Sequence, residues 1–414
     1  MKITIPDNAK FILEKLHTSG YEAYVVGGCV RDSILGRNPA DWDITTNASP
    51  MEVKSVFKKT VDTGIKHGTV TVLVNREGYE VTTYRIDGEY EDNRHPKEVT
   101  FTKSLKEDLK RRDFTINAMA YNETHGLVDL FDGMGDIERK TIRCVGDANE
   151  RFTEDALRIM RAVRFSAQLG YSIDDKTKES VRINKNRLSS ISAERIRVEL
   201  DKLLSSPNPD FIKRAYEYGI MDVIMPEFSE AFKALDEKQQ GRYLDTLKES
   251  KAEIQLRLSL FFVIMGENKA QEVLKNLKYD NATKNSVLKV LKALNDYPKP
   301  FSKPVEVRIF LNERGEETFK LFTDCFCYLK DSLWDSASLC ELKSVYDKIK
   351  DDNDCYSMKD LKITGKDLMD LGINPGKEMG DLLKKLLDEV IIDPSLNSKE
   401  SLVGILKKWG AIKC

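Results

Sequence analysis

The sequence predicts an α+β protein, with a mixed helix and strand unit over about residues 1–148 and helices from there to the end. Three observations predict this. First, β-branched and alternating runs crowd the first third: "YEAYVV" (Tyr21 to Val26), "GTVTVLV" (Gly68 to Val74) and "GYEVTTYR" (Gly78 to Arg85). Second, strand signals fade after about residue 150, where apolar residues recur at helical spacing instead. Third, 414 residues are too many for one ordinary core, so two to four domains are expected.

Taken in order, "MKITIPDNAKFILEKL" has helical apolar spacing and neither a long apolar core nor a small-residue cleavage site. "YEAYVV" is a strand that ends in the turn Gly27-Gly28. "NREG" (Asn75 to Gly78) is a hairpin-like turn between two strands. "TINAMAYN", "LVDLFDG" and "TIRCVG" complete a small sheet. In "EDALRIMRAVRFSAQLGY", Ala156, Ile159, Val163 and Ala167 make a helical stripe, and Gly170 is its expected C-cap. "ISAERIRVELDKLLSS" is a helix without a capping box, because Arg195 stands where a box needs Glu. The proline-rich "NDYPKPFSKP" (Asn295 to Pro304) is a candidate joint, and helices follow through "SLVGILKKWG".

The chain is 41% hydrophobic and 32% charged with a formal net charge of -2, so any nucleic-acid role has to come from local patches. No apolar run approaches the roughly 20 residues that span a bilayer. The expectation is a cytoplasmic protein with no membrane partner. Cys29, Cys144, Cys325, Cys327, Cys340, Cys355 and Cys414 are scattered and form no C-x-x-C, which predicts reduced thiols used for packing rather than zinc or disulfides.

The chemistry concentrates in "VVGGCVRDSILGRNPADWDI" (Val25 to Ile44). Side chains two apart in extended chain point the same way, so Asp41 and Asp43 present paired carboxylates, about 7 Å apart along the backbone. Such a pair suits Mg²⁺, which takes carboxylates together with phosphates and water. The glycine turn lets backbone N–H groups approach a phosphate, and Arg31 offers charge-assisted bonds to it. An isolated D-x-D is common in loops. The order strand, G-G-x-x-R-D, spacer, D-x-D is far more specific. No G-x-G-x-x-G and no P-loop is present. A third carboxylate would help deprotonate a hydroxyl; Glu80 is the candidate and Asp113 in "RRDFT" competes with it, each equally readable as a routine strand-edge or loop acid.

A second constellation is "EDALRIMRAVRF", where Asp155 and Arg158 are three apart and are expected on one helix face. A carboxylate only accepts and a guanidinium only donates. Together they match the amino donor and ring-nitrogen acceptor of cytosine and adenine, and mismatch uracil and guanine. Arg161 and Arg164 continue the row at three-residue steps and wind around the helix, which fits a path from a base edge toward a triphosphate, while the usual fate of such a row is a solvated charged face. Arg111 and Arg112 add charge. Arg139 to Glu199 holds 14 Lys and Arg against 9 Asp and Glu, which fits a phosphate-binding stripe and equally a basic helical surface.

"GGCVRDSILGRNPADWDI", "LKRRDFTINAMAYN", "LVDLFDG", "EDALRIMRAVRFSAQLGY" and "ISAERIRVELDKLL", in that order, resemble the head and neck motifs of class II tRNA nucleotidyltransferases, the CCA-adding enzymes and their poly(A) polymerase relatives. "ITGKDLMDLGINPGKEMGDLLKKLLDEVI" is similar to the tail of bacterial, Gram-positive-type CCA-adding enzymes. The resemblance implies a polymerase-β-like nucleotidyltransferase head over residues 1–148, a base-recognising helical neck over 149–206, a helical body over 207–325 and a tRNA-binding helical tail over 326–414. It implies Mg²⁺ on Asp41 and Asp43, and Gly28, Arg31, Arg112, Asp155, Arg158, Arg161 and Arg164 around CTP or ATP. It implies a tRNA partner held by its acceptor and T arms. "DGEYEDNRHPKEV" (Asp87 to Val99) fills the place of a loop that CC-restricted members lack, so full CCA addition is expected. The rival readings are a poly(A) polymerase, an A-adding or CC-adding enzyme, and a catalytically silent RNA-binding protein. The sequence leaves the oligomeric state open.

Overall fold

The computed structural model describes residues 2–88, 99–329 and 335–412. Residues 89–98 of the expected loop therefore lie outside the described residues. The chain forms two compact units, residues 1–234 with 276–278, and residues 235–275 with 279–414.

The first unit is built on a seven-stranded sheet. Its strands are β1 (Ala23–Val26), β2 (Ile44–Thr46), β3 (Thr60–Gly64), β4 (Thr69–Val74) and β5 (Glu77–Thr83), then, after the pair β6 (Arg85–Asp87) and β7 (Val99–Phe101), β8 (Met119–Asn122) and β9 (Gly126–Asp129). Their spatial order is β3-β4-β5-β2-β1-β8-β9. Only β2 and β5 run parallel, with Ile44 beside Val81; the other neighbours in this sheet are antiparallel. β1 is buried along its whole length, as its unbroken apolar run requires. The β4–β5 turn needs only Asn75 and Arg76, both at positive φ (50° and 69°), which matches the twist of the strands it joins.

α1 (Asp7–Thr18) packs on β1, and α3 (Pro50–Val56) packs on β4 and β5. Ser49 and Glu52 close a capping box at the start of α3, with Pro50 in its first turn. Val70, Val72, Tyr79 and Val81 are buried, while the intervening Thr71 and Glu80 face outward. That alternation leaves one side of the β4–β5 pair open. α2 (Gly28–Ile34) follows β1, and α4 (Leu105–Lys110) and α5 (Gly133–Glu138) precede a small parallel pair, β10 (Thr141–Ile142) and β11 (Ser172–Ile173).

Helices α6 (Ala148–Glu154), α7 (Leu157–Leu169), α8 (Asp175–Asn184) and α9 (Ala193–Leu204) complete the part of this unit that bears on the site. The predicted stripe Ala156, Ile159, Val163 and Ala167 is fully buried. Gly170 caps α7 at φ 72°, as expected. Ser192 makes no side-chain cap on α9.

The described residues of the second unit form helices without a strand. One core gathers Phe310, Phe319, Phe322 and Phe326, with Tyr297 and Phe301 packed against it. Both aromatics of the proline-rich segment are thus anchored, and the segment lies inside this unit rather than at the division between units. A second core joins Leu368, Leu386, Val390, Leu402 and Leu406. Among the described residues no helix is long and apolar enough to cross a membrane. Among the described residues the six cysteines are free thiols; Cys29, Cys144, Cys325 and Cys355 are buried.

Candidate active site

β1 ends at Gly27, whose φ of 83° turns the chain directly into α2. A Cβ at Gly27 would come within 3.0 Å of the Arg112 Nη1, so the glycine also makes room for that side chain. Asp41, Trp42 and Asp43 lie just before β2, outside any regular element. The Val26 N–H donates to the Asp43 carbonyl at 3.0 Å, which carries the β1–β2 pairing one step beyond the strand. β5 lies beside β2 and brings Glu80 to the same place. Asp41, Asp43 and Glu80 line one cavity of about 660 Å³, with Trp42, Thr71 and Glu77 among its walls.

The electrostatics of this cavity mark it out. The surrounding protein pushes the Asp43 carboxyl above its ordinary value, Arg112 opposes that, and Asp41 adds to it. Glu80 is raised by desolvation first, then by Asp43 and Asp41. The acids thus act on one another across the cavity, with Arg112 as a partial counter-charge at Asp43. Asp113, the competitor for the third place, has another job. It is buried, its Oδ2 accepts from Arg161 Nε and Nη2 at 2.8 and 2.5 Å, and its Oδ1 accepts from the Phe114 N–H and Asn117. Burial alone would raise its carboxyl; Arg161 overrides this and holds it well below the usual carboxylate range.

The arginines converge on Phe165, an aromatic to which the sequence pattern assigns no role. Arg31, Arg161 and Arg164 lie 5.1, 5.2 and 3.7 Å from its ring centre. Each has its own carboxylate: Arg31 is bidentate to Asp32, Arg161 pairs with Asp113, and Arg164 pairs with the buried Glu199 at 2.5 Å. Arg31 also donates to Asn117 at 2.6 Å. Arg112 is held more loosely, 3.5 Å from Asp108, with a buried Nε that has no partner among the described residues.

The structure corrects the placement of Asp155 and Arg158. They do not share a helix face, because the chain breaks between α6 and α7 and Asp155 is extended (φ -137°, ψ 102°). One Asp155 oxygen accepts from the Leu157 N–H at 3.0 Å and the other from Arg195 at 2.9 Å. These two bonds favour the break over a continuous helix. Arg158 is buried and folds back on Glu154 and on the carbonyls of Arg151 and Arg111. Arg195 stood in the quoted "AERIR" motif, but its partner 40 residues earlier left no local signal.

Asp41 and Asp43 supply oxygen donors only. Among the described residues no group of three or more His, Cys, Asp or Glu forms a ready-made metal cage. Two carboxylates in an open cavity nonetheless fit Mg²⁺, which is held by one or two carboxylates plus substrate phosphates and water rather than by a full protein cage.

Comparison with known proteins follows the same division. Family models match residues 23–143 as "Poly A polymerase head domain", 170–232 as "Probable RNA and SrmB- binding site of polymerase A", and 235–406 as tRNA nucleotidyltransferase domain 2. The CCA-adding enzyme of Ligilactobacillus salivarius is 38% identical over 98% of this chain and 97% of its own. The chain belongs to the CCA-adding enzyme family. The CCA-adding enzyme of Lactobacillus delbrueckii subsp. bulgaricus is 39% identical over 95% of this chain and 96% of its own. The crystal structure of the Bacillus stearothermophilus CCA-adding enzyme in complex with CTP superposes with a TM-score of 0.82, at 31% identity, over 99% of this chain and 98% of that one. CCA-adding enzymes are nucleotidyltransferases and generally use divalent metal ions. The α+β fold, a sheet-bearing head followed by helices, is that of the family.

Proposed function

We propose that the chain adds C, C and A to the 3′ end of tRNA from CTP and ATP, releasing pyrophosphate and using no nucleic-acid template. The observation that carries this reading is the cavity lined by Asp41, Asp43 and Glu80, with Arg112 close enough to act on the Asp43 carboxylate. In this reading Asp41 and Asp43 hold Mg²⁺. When bound, the metal lowers the barrier by stabilising charge that develops on the transferring phosphoryl group.

The chain's own residues do the rest. The Glu80 carboxylate, made more basic by desolvation and then by Asp43 and Asp41, draws the proton from the terminal hydroxyl of the tRNA. The Gly28 backbone N–H and the Arg31, Arg112, Arg161 and Arg164 guanidiniums take up the triphosphate, oriented beforehand by their carboxylate partners. Asp155 accepts from the amino group of cytosine or adenine through a remaining lone pair, without giving up Arg195. Arg158 reaches the ring nitrogen by exchanging its bond to Glu154. Residues 1–148 are the catalytic head, 149–206 the neck, 207–325 the body and 326–414 the tail that grips the acceptor and T arms through phosphates and shape. The protein works in the cytoplasm.

The test is incubation with Mg²⁺ and tRNA lacking its 3′ CCA, with CTP and ATP singly and together, followed by sequencing of the products. CCA ends are expected. Ends that stop at CC, addition only to tRNA already ending in CC, long A tails, or binding without addition would each point to one of the rival readings.

A further inference from the structure

Thr71 and Glu80 stand directly opposite each other in the β4–β5 pair. Side chains so placed have Cβ atoms about 4.5–5.5 Å apart. Both line the cavity of Asp41 and Asp43, on the open side of the sheet, with Val70 and Val72 buried on the other. Thr71 Oγ1 shares a 2.9 Å hydrogen bond with Thr63 Oγ1. A hydroxyl carries one donor and two acceptor sites. If Thr71 donates to Thr63, both its lone pairs remain; if it accepts, its O–H and one lone pair remain. Either way it can bond to a further hydroxyl. Gly78 makes room for the Thr71 methyl, since a Cβ there would lie 3.0 Å from Thr71 Cγ2.

We infer that Thr71 reads the 2′-hydroxyl of the terminal ribose of the RNA being extended, and so is a specificity-determining residue for an RNA end over a DNA end. The inference rests on the proposed function, in which the attacking 3′-oxygen sits beside Glu80. The 2′-hydroxyl is carried by the adjacent ring carbon. With the 3′-oxygen next to one member of a cross-strand pair, the 2′-hydroxyl falls within reach of the other. The 2′-hydroxyl both donates and accepts, and is the group by which a protein distinguishes RNA from DNA at one site.

The experiment compares two tRNAs lacking CCA, identical except that the last residue is ribose in one and 2′-deoxyribose in the other. Extension with CTP is measured as kcat/KM for the wild type, Thr71→Val and Thr71→Ser. The wild type is expected to prefer the ribose end roughly 3–10-fold, the range of one neutral hydrogen bond. Thr71→Val, nearly isosteric and well suited to a strand, is expected to lose that preference by slowing only on the ribose end. Thr71→Ser is expected to keep it, and the KM for CTP is expected to stay constant. A wild type that extends both ends equally, or a Thr71→Val that keeps the preference, would overturn the inference while the proposed function stands. Equal slowing on both ends would also overturn it, by marking a structural role. A wild type that extends neither tRNA would overturn the proposed function and this inference with it.

Discussion

Asparagine in place of Asp113 decides whether this acid orders an arginine or takes part in the chemistry. Its two oxygens accept from the Phe114 N–H at 2.8 Å, Asn117 at 3.2 Å, and Arg161 Nε and Nη2 at 2.8 and 2.5 Å. Breaking one partner of a buried pair costs about 3–5 kcal/mol. Here the Arg161 side chain keeps 32% exposure and has Glu199 at 4.0 Å, so water and a second carboxylate take over part of the pairing. Asparagine also keeps one accepting oxygen. The expected loss is about 2–3 kcal/mol, measured by urea unfolding at about pH 7. Because the folded Asp113 carboxyl is depressed, its contribution is present above the ordinary value of about 3.9 and fades as pH falls toward the folded value. The gap between wild type and Asp113→Asn is therefore full from about pH 5 to about pH 7 and narrows below about pH 4. A gap under about 1 kcal/mol at neutral pH, or one that does not narrow in acid, would contradict this account of the pair. Loss of transfer with unchanged stability would move Asp113 into the role proposed for Glu80.

Three further outcomes are expected. Asp41→Ala abolishes nucleotide addition while leaving tRNA binding and the unfolding midpoint close to wild type, as checked by extension and filter-binding assays. Asp43→Asn and Glu80→Gln impair addition yet stabilise the metal-free protein at neutral pH by a fraction of a kcal/mol, the desolvation that raises both carboxyls being limited by their exposure to water. The sign follows from raised carboxyls, whose relative stabilisation of the fold is lost as pH rises through the folded value, so the gain vanishes near pH 3, or roughly one unit below the ordinary carboxylate range; thermal melts across pH check it. Gly27→Ala is strained at φ 83° and pushes on Arg112 Nη1 at 3.0 Å, so it destabilises by about 1–2 kcal/mol and raises the KM for CTP.

What the sequence disclosed was local. The strand before Gly27, the Asn75–Arg76 turn, the buried stripe of α7 and its Gly170 cap each depend on residues close in the chain, and each is where the pattern put it. What it withheld was set by distant partners. At the helix break, Asp155 holds the nearby Leu157 N–H with one oxygen and Arg195, 40 residues away, with the other. Glu80 and Asp113 looked alike until the parallel pairing of β2 with β5 carried one to Asp43, while Arg161 captured the other. Phe165 looked like one more apolar helix position, and only the assembled fold shows three guanidiniums around its ring.

The carboxylates that serve those three guanidiniums come from separate stretches of chain: Asp32 on α2, Asp113 before β8 and Glu199 on α9. This bears on how such a sequence can drift. A lineage that loses Asp113 while keeping Arg161 leaves that guanidinium to water and a shared Glu199, and one that loses Glu199 strands the buried Arg164. Neutral change is open only to both members of a pair at once, or by way of an intermediate that carries the penalty. The expectation is that aligned relatives vary at 113 with 161, and at 164 with 199, far more often together than apart. Phe165, shared by all three pairs, has no single partner to change with, and has the least freedom of all.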